Sequence, residues 1–301
     1  MIKEAAYMPW WFFQSRILGR KKPLQTVLFV TDYCNLRCKH CTPSGHLCSS
    51  MKSYEQIKEE LIYSYQQGSR FVDFEGGEPT LWREGDKNLN DLYKLAKEIG
   101  FFSCTLTTNG QRPFGDTLAN SVWVSVDGYQ SYHDKVRGEG TFAILDKNIR
   151  ESGHPALSIA MAINKLNRPS LRDTVQYARD NPAIKSIALN IHTPFPGTEE
   201  LTLSLEERHQ VIDEIIQLKR EGFPIMNTVS GLKTMKRRGF KKYCWVCNYV
   251  MIDGQRLPSC PGYLLEGNVC DDCGFCMSGE MYSVLHLKPD TITAGLSLRL
   301  G

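Results

Sequence analysis

The run Cys34-Asn35-Leu36-Arg37-Cys38-Lys39-His40-Cys41 places three cysteines on one short segment, directly after the apolar stretch Gln25–Thr31. Closely spaced cysteines of this kind bind metal, and a cluster of four irons and four sulfides normally takes four cysteine ligands. Cys34, Cys38 and Cys41 would therefore leave one iron of such a cluster without a protein ligand. A structural zinc site is the alternative, but such sites usually have four protein ligands. The segment predicts an iron–sulfur site with one open position after a strand.

A second motif, Gly76-Gly77-Glu78-Pro79, follows the strand-like run Phe71–Phe74. Two glycines permit a sharp turn and a close backbone approach, and the proline stiffens its exit. Together with the cysteine run, this turn resembles the radical S-adenosylmethionine (SAM) superfamily. The resemblance implies a [4Fe–4S] cluster whose open iron binds SAM, with SAM contacts from Gly76, Gly77 and Glu78. It also implies reductive cleavage of SAM to a 5′-deoxyadenosyl radical, with the electron supplied by a flavodoxin- or ferredoxin-type donor.

Short β-branched or aromatic runs alternate with amphipathic stretches from residue 25 to about residue 220. This alternation predicts repeated βα units with parallel strands, in an open sheet or a partly closed barrel. The resemblance selects the second form: an α/β fold with a partial (β/α)6 TIM-type barrel and a small cysteine-rich C-terminal module. The predicted strands are Gln25–Thr31, Arg70–Glu75, Phe102–Thr107, Val122–Asp127, Leu157–Ile163 and Lys185–Ile191. The predicted helices are Tyr54–Gln67, Asn88–Glu98, Phe142–Glu151, Leu171–Arg179 and Leu205–Arg220.

Polar residues lie at the ends of the later predicted strands, where the ligand-binding groups of a parallel barrel gather. Asn109 follows the third strand, and Asn190 lies on the sixth. Ser125 and Asp127 lie at the end of the fourth strand and share one face, because side chains two residues apart point the same way. The resemblance implies that Asn109, Ser125 and Asp127 bind SAM. Asn190 is a polar group in an apolar strand that needs a partner, and we expect the adenine of SAM or the substrate to supply it.

Two further candidates have simpler alternatives. Arg137, in the run His133 to Gly138, resembles the arginine with which radical SAM peptide-modifying enzymes meet the SAM carboxylate. Its alternative is a surface ion pair with Asp134. His192 shares a face with Asn190 in an apolar strand, and buried polar groups need partners. His192 is therefore either a candidate substrate contact or a core histidine with satisfied hydrogen bonds.

Six of the eleven cysteines lie between residues 244 and 276 and include closely spaced C-x2-C pairs. Such clustering indicates metal rather than disulfides. The segment resembles the auxiliary-cluster modules named SPASM and twitch, which implies an auxiliary [4Fe–4S] cluster, with zinc as the alternative. One cluster needs four ligands, and the sequence leaves open which four bind. The candidates are Cys244, Cys247, Cys260, Cys270, Cys273 and Cys276.

Three segments differ in composition. Residues 1–22 form an aromatic and then basic leader, expected to be a helix that either contacts a membrane surface or plugs one end of the barrel. Residues 23–222 carry the barrel pattern. Residues 223–301 contain the six cysteines, many glycines and few helical periodicities. We therefore expect this last segment to be a small, loop-rich module organised by metal.

Composition limits the partners of the chain. A formal net charge of +3 over 301 residues does not predict nucleic-acid binding, which usually shows a strong basic stripe. A basic run from Lys233 to Lys242 is either a solvated face or a surface for phosphate or an acidic electron donor. The absence of a secretory signal and of a long apolar run predicts a reducing cytoplasmic location, with membrane contact limited to the leader.

Two substrate classes fit these observations. The leader and the segment Pro258–Leu265 resemble the adenosylhopane synthases, which favours a lipid or isoprenoid substrate for hydrogen abstraction or addition. The Ser125–Gly128 and Arg137 patterns and the SPASM-like tail favour a peptide or protein. We slightly favour the lipid. A non-catalytic iron–sulfur or zinc scaffold is the third hypothesis, but it leaves the open cluster position without a role.

Overall fold

Six parallel strands form the centre of the chain in a computed structural model, which describes residues 2–41, 50–237, 239–265 and 269–300. They lie side by side in their order along the chain, as consecutive βα units do. This arrangement confirms the predicted α/β fold and partial barrel. The strands are β1 (Gln25–Thr31), β2 (Phe71–Gly76), β3 (Ser103–Thr108), β4 (Ser121–Ser125), β5 (Leu157–Ile163) and β6 (Ile187–Ile191).

Helices connect these strands and cover the sheet. Their starts are fixed by local hydrogen bonds: Ser53 and Ser204, for example, each form a capping box with the residue three positions later. A short antiparallel ribbon joins Arg83–Glu84 to Lys87–Asn88. The α-helices of the described residues are α1 (Ile2–Arg16), α2 (Tyr54–Gln67), α3 (Leu89–Ile99), α4 (Ser131–Arg137), α5 (Thr141–Glu151), α6 (Leu171–Asp180), α7 (Leu205–Arg220), α8 (Val229–Met235), α9 (Met277–Leu285) and α10 (Pro289–Leu300).

The C-terminal segment extends the same sheet. Strand β7 (Cys247–Val250) pairs in parallel with β1, and β8 (Arg256–Leu257) pairs antiparallel with β7. The expectation of a loop-rich segment was wrong, because α8, α9 and α10 all lie in it. Helix α8 has only seven residues, and α9 carries small and apolar residues around its axis, so neither shows a clear helical repeat in the sequence.

The leader helix α1 packs across the amino ends of the first strands. Trp11 is 3% exposed and lies in a second hydrophobic core with Leu24, Phe71 and Val246. Its indole nitrogen donates a hydrogen bond to the Lys22 carbonyl at 2.8 Å. This packing corresponds to the plug of one barrel end that the sequence offered as an alternative. Among the described residues, no helix is long and apolar enough to cross a membrane.

Candidate active site

The segment Asp32–Cys41, which contains all three cysteines and is here named the cluster loop, leaves the carboxyl end of β1. The Cys34 sulfur accepts a hydrogen bond from the Leu36 amide at 3.4 Å, and the Cys41 amide donates to the Cys38 carbonyl at 3.1 Å. Burial raises the pKa of the Cys38 thiol to about 11, and the nearby charges of Cys34 and Cys41 add to this effect. The three thiols therefore lie close together in a setting that disfavours the thiolate unless a positive partner, such as iron, is bound.

The turn after β2 packs directly on the backbone of the cluster loop. The Gly77 and Glu78 amides donate to the carbonyls of Thr31 and Tyr33 at 2.8 and 2.9 Å. A Cβ atom on Gly77 would lie 2.3 Å from the Tyr33 oxygen, and one on Gly76 would lie 2.0 Å from the Thr31 oxygen. Sequence reasoning expected a close approach to a ligand at these glycines. The structure shows that the close approach is to the cluster loop itself.

The Glu78 carboxylate is buried and accepts hydrogen bonds on both oxygens. Its donors are the Thr80 amide at 3.1 Å and hydroxyl at 2.7 Å, the Thr108 hydroxyl at 2.7 Å and the Asn109 amide at 2.7 Å. Burial raises the pKa of this carboxyl, and the four donors oppose that shift. Glu78 thus joins the turn after β2 to the end of β3, and its contact with SAM stays a prediction.

Asn109 connects the end of β3 to the cluster loop. Its side-chain nitrogen Nδ2 donates a hydrogen bond to the Asn35 side-chain oxygen at 2.8 Å and lies 3.8 Å from the Cys34 sulfur. Asn109 therefore contacts the cluster loop, and its contact with SAM stays a prediction. Asn35, which the sequence analysis did not single out, is its partner in the loop.

Arg137 and Asp127 form a buried ion pair beside the cluster loop. Arg137 Nε lies 2.7 Å from Asp127 Oδ2, and the two side chains are 10% and 1% exposed. Burial alone would raise the pKa of Asp127, but the Arg137 guanidinium and other nearby groups hold it at about 2. The alternative of a surface ion pair between Arg137 and Asp134 was wrong, because Asp134 instead accepts from the Gly140 amide at 3.0 Å.

This ion pair faces the cluster loop. Arg137 Nη1 lies 3.8 Å from the Cys38 sulfur, and Asp127 Oδ1 accepts a hydrogen bond from the Ala162 amide at 2.8 Å. Ser125, half-buried, is the last residue of β4, two positions before Asp127. The structure therefore brings Asp127 and Arg137 together next to Cys38, as expected of residues around a shared ligand, while their contacts with SAM stay predictions.

His40 belongs to the cluster loop, and its side chain lies against this ion pair. Its Nε2 lies 3.5 Å from Asp127 Oδ2, and burial lowers the pKa of the imidazole to about 4, so the contact is not an ion pair at neutral pH. Its Nδ1 is buried without a hydrogen-bond partner among the described residues. No role for His40 was predicted from the sequence, although its place between Cys38 and Cys41 was a usable signal.

The two candidates on β6 have protein partners. Asn190 Oδ1 accepts a hydrogen bond from the Cys276 amide at 3.0 Å. His192 Nε2 lies 3.1 Å from both the carbonyl and the hydroxyl oxygen of Thr198, and burial lowers the pKa of the imidazole. Thr198 therefore satisfies the hydrogen bonding of one ring nitrogen of His192, as the core-histidine alternative expects. Roles in binding SAM or substrate stay predictions for both residues.

The family model described as the radical SAM superfamily matches residues 28–178, a range that contains the cluster loop, the turn after β2 and Arg137. The chain belongs to the radical SAM superfamily. Fe-coproporphyrin III synthase of Methanosarcina barkeri is 26% identical over 233 residues, which are 68% of this chain and 54% of that protein. GTP 3′,8-cyclase of Actinobacillus succinogenes is 27% identical over 174 residues, which are 52% of this chain and 50% of that protein. The chain thus spans about half the length of these curated relatives.

Solved structures show the same fold at low sequence identity. Streptococcus suis SuiB bound to the precursor peptide SuiA has a TM-score of 0.65 and 14% identity, and the match covers 90% of this chain and 66% of SuiB. Native anSMEcpe with bound AdoMet has a TM-score of 0.62 and 17% identity, covering 89% of this chain and 82% of that one. These likenesses support the barrel with its C-terminal extension.

A radical SAM enzyme uses a [4Fe–4S] cluster and SAM, and the described residues fit both. Cys34, Cys38 and Cys41 would provide three sulfur ligands from one loop. SAM is rich in polar groups, and the unpartnered Nδ1 of His40 provides a buried polar atom beside that loop. The Arg137 guanidinium next to Cys38 adds a positive group where the SAM carboxylate is expected.

Four of the six C-terminal cysteines influence one another's pKa values through their charges. Burial, together with the charges of Cys260, Cys273 and Cys270, raises the pKa of Cys244 to about 11. Cys270 and Cys273 likewise raise the pKa of Cys260, and Cys273 raises that of Cys270. In each of the six pairs among these four cysteines, the charge of one thiol influences the pKa of the other. Across the described residues, no three His, Cys, Asp or Glu side chains converge as ligands of a single metal ion do.

The remaining two cysteines, Cys247 and Cys276, also lie near this group. The charge of Cys273 raises the pKa of Cys276, and the charges of Cys247, Cys260 and Cys244 all raise the pKa of Tyr249. Cys276 is 2% exposed in the main hydrophobic core, where its thiol lies 3.7 Å from the Gly274 carbonyl and burial raises its pKa to about 12. Cys247 is the first residue of β7 and is level with Gln25 of β1. The C-terminal cysteines fit an auxiliary cluster, and the structure groups four of them.

The segment 270–276 is fixed to the carboxyl end of β6. The Gly274 carbonyl accepts from the Ile191 amide at 2.9 Å, and a Cβ atom on Gly274 would lie 1.8 Å from the Ile191 oxygen. Arg208 of α7 donates to the carbonyls of Asp272 and Cys273 at 2.9 and 2.6 Å. The four grouped cysteines therefore lie at the open edge of the barrel, between β6 and the β7–β8 pair.

Proposed function

We propose that this enzyme cleaves SAM reductively at a [4Fe–4S] cluster held by Cys34, Cys38 and Cys41, and that the product radical acts on a lipid- or isoprenoid-type substrate. When bound, the cluster and SAM supply the 5′-deoxyadenosyl radical, and the protein positions and shields it. Asp127 holds Arg137 by its Nε at 2.7 Å, so that the guanidinium edge faces the cluster loop. Asn109 and the turn at Gly77 fix that loop from the other side.

Exposed apolar side chains beside the two cysteine segments support an apolar substrate. Tyr33, which directly precedes Cys34, is 45% exposed, and Phe275, which lies between two residues bound to the end of β6, is 47% exposed. Large exposed apolar side chains beside a site can serve as its binding surface. Four more exposed apolar residues adjoin the auxiliary cysteines in sequence: Tyr263, Leu264, Leu265 and Met277.

Loss of SAM cleavage on removal of one cluster ligand tests the central claim. The Cys38→Ala variant, reconstituted anaerobically with iron and sulfide and reduced with dithionite, is expected to form no 5′-deoxyadenosine. The matched control is Cys104→Ala, a buried cysteine on β3, which is expected to keep its iron and its activity. If Cys38→Ala formed 5′-deoxyadenosine as fast as the parent, the proposed site would be wrong.

A peptide substrate is the second candidate, supported by the fold shared with SuiB, which was solved with its precursor peptide. The two classes are separated by incubating the enzyme with a deuterated hopene-type triterpene in detergent, or with a mixture of synthetic peptides. A lipid substrate predicts deuterium in 5′-deoxyadenosine or an adenosylated lipid by mass spectrometry. Modification of a peptide with no change in the lipid would reject the lipid proposal.

We further propose that Cys244, Cys260, Cys270 and Cys273 hold an auxiliary [4Fe–4S] cluster. Serine at any of these four positions should remove about half of the bound iron and sulfide, because one of two clusters of equal size is lost. Cys276→Ser, which changes a thiol buried in the main hydrophobic core, is the control and should keep the full amount. Loss of iron from this control, with retention in one of the four, would show a different ligand set.

Peripheral membrane contact is proposed for the leader alone. The face of α1 opposite Trp11 exposes Trp10 and Phe13, whose rings stack at 5.8 Å. Exposed Arg20 and Lys21 follow the helix, and such cations can meet anionic headgroups. This face lies at the amino end of the barrel, away from the cluster loop, so the contact would hold the enzyme at a surface without forming the substrate entrance.

A further inference from the structure

An aromatic cluster lies directly before the first auxiliary cysteine, Cys244. The Phe240 and Tyr282 rings meet edge to face with centroids 5.7 Å apart, and the Tyr243 and Tyr282 centroids are 6.2 Å apart. His286 stacks on Tyr282 at 3.9 Å. These contacts tie the segment before Cys244 to α9 and fix the surface that it presents.

Three cations lie over the rings of this cluster, and together with those rings they are here named the basic platform. Arg237 and Lys241 are exposed, and Lys242 is partly exposed. Arg238, which belongs to the same basic run, lies outside the described residues. Packing over rings keeps a cation at a fixed place on the surface. The three contacts are Arg237 over Tyr282 at 5.7 Å, Lys241 over Tyr243 at 5.4 Å and Lys242 over Phe240 at 4.7 Å.

The basic platform adjoins the four grouped cysteines. Lys242 lies two residues before Cys244. Its charge lowers the pKa of Cys244 and also that of Cys270, which is distant in sequence. Two carboxylates lie nearby. Asp213 forms an ion pair with Lys236 at 2.8 Å, and Asp271 directly follows Cys270 in sequence. The platform is therefore a positive surface beside the auxiliary site.

We propose that an acidic one-electron donor protein of the flavodoxin or ferredoxin type docks on the basic platform. This proposal rests on the proposed function, because SAM cleavage consumes one electron that an external protein must supply. The donor is oxidised by one electron, and the iron–sulfur centre of this chain is reduced by the same electron. Opposite charges steer such encounters and fix their orientation. The platform places the donor against the auxiliary cysteines at the open edge of the barrel.

A charge reversal on the platform tests the docking surface. The reconstituted double variant Lys241→Glu with Lys242→Glu is titrated calorimetrically with an acidic flavodoxin at low and at high salt. The control reverses two exposed lysines elsewhere, Lys87→Glu with Lys147→Glu, and Lys87 also packs over a ring, that of Tyr54 at 5.1 Å. The platform variant should bind about tenfold more weakly at low salt, with a smaller difference at high salt.

Activity with two reductants separates this proposal from the proposed function. With dithionite, the platform variant should form 5′-deoxyadenosine at the parent rate. With limiting reduced flavodoxin, its rate should fall about tenfold. Unchanged flavodoxin affinity in the platform variant, or an equal loss in the control variant, would overturn the docking surface. Failure of the parent to cleave SAM with dithionite would instead reject the proposed function. The milder double variant Lys241→Gln with Lys242→Gln repeats the titration if the reversed chain does not fold.

Discussion

The ion pair between Arg137 and Asp127 is the residue-scale feature on which the site most depends. Arg137→Gln would leave the Asp127 carboxylate, 1% exposed, without its charged partner. Removal of one partner from a buried pair costs about 3–5 kcal/mol, because the other charge stays out of water. We expect a loss of this size in the free energy of unfolding, measured by urea denaturation of the metal-free chain.

Arg150→Gln is the matched control for this prediction. Arg150 pairs with Asp146 at 2.9 Å on the exposed side of α5. Exposed pairs of this kind contribute less than about 1 kcal/mol. Equal losses of unfolding free energy in the Arg137 and Arg150 variants would mean that burial does not determine how much the Arg137–Asp127 pair contributes to stability.

Individual partners in the site were only partly predictable from the sequence. The motif positions of Cys34, Cys38 and Cys41 are local, and a short run of sequence therefore identifies them. The partner of Arg137 is not local, because Asp127 reaches it only when the end of β4 meets α4. For the same reason, the sequence did not identify the unpartnered nitrogen of His40.

At the scale of elements, the turn after β2 should tolerate no added side-chain atom. In Gly77→Ala, the new Cβ would lie 2.3 Å from the Tyr33 oxygen and 2.6 Å from the Asp32 oxygen. Both are backbone atoms and cannot rotate away, so we expect a loss of about 1–3 kcal/mol or more in the free energy of unfolding. Thermal or urea unfolding of the metal-free chain measures this loss.

Gly295→Ala makes the same chemical change on α10, where no atom lies within 4 Å of the new Cβ. Alanine favours a helix over glycine by up to about 1 kcal/mol, so this control should be neutral or stabilising. A neutral Gly77→Ala variant would show that the turn can move away from the cluster loop.

The packing of α8 against α9 should depend on pH through Glu280. Its carboxylate accepts from the Thr228 amide and hydroxyl at 2.8 and 2.6 Å. Burial raises its pKa to about 7 from an ordinary 4.5, Asp290 adds to the shift, and the Thr228 donors and Lys219 oppose it. A carboxyl with a raised folded-state pKa binds a proton on folding, so its contribution to stability falls as pH rises from 4.5 to 7.

Glu280→Gln should remove this dependence. Between pH 4.5 and 7 the free energy of unfolding of the parent should fall by about 3 kcal/mol more than that of the variant. Urea unfolding at several pH values measures the difference, with Glu98→Gln on the exposed side of α3 as the control. Parallel curves for the parent and Glu280→Gln would show that the carboxyl titrates at its ordinary pKa.

Some elements were predictable to the residue, and others were not predictable at all. Strands β1 and β5 and helices α2 and α7 have the bounds expected from the sequence, because each is long and ends at a clear signal. Helix α4, with seven residues, is too short to show a helical repeat. Strands β7 and β8, with four and two residues, exist because they pair onto β1, which is a tertiary event.

At the scale of the whole molecule, the leader and the cluster loop lie at opposite ends of the barrel. Trp11 of α1 packs on the second core at the amino ends of the strands, whereas its neighbour Trp10 is 53% exposed. Trp11→Ala should lower the free energy of unfolding by about 3–5 kcal/mol, because it leaves a cavity in that core. Trp10→Ala should change it by no more than about 0.5 kcal/mol. Urea unfolding of both variants measures this contrast, and equal effects would mean that α1 does not plug the barrel.

The exposed face of the leader gives the last prediction. A membrane surface would bury Trp10, Phe13 and Ile17, which are 53%, 43% and 65% exposed in the chain alone. The double variant Trp10→Ala with Phe13→Ala should sediment less with vesicles that contain phosphatidylglycerol, because it loses apolar area that enters the interface. Its stability and its dithionite-driven SAM cleavage should equal those of the parent, since this face lies far from the cluster loop. Equal sedimentation of the parent and the variant would remove the leader from any membrane contact, and it would leave the barrel plug as the function of α1.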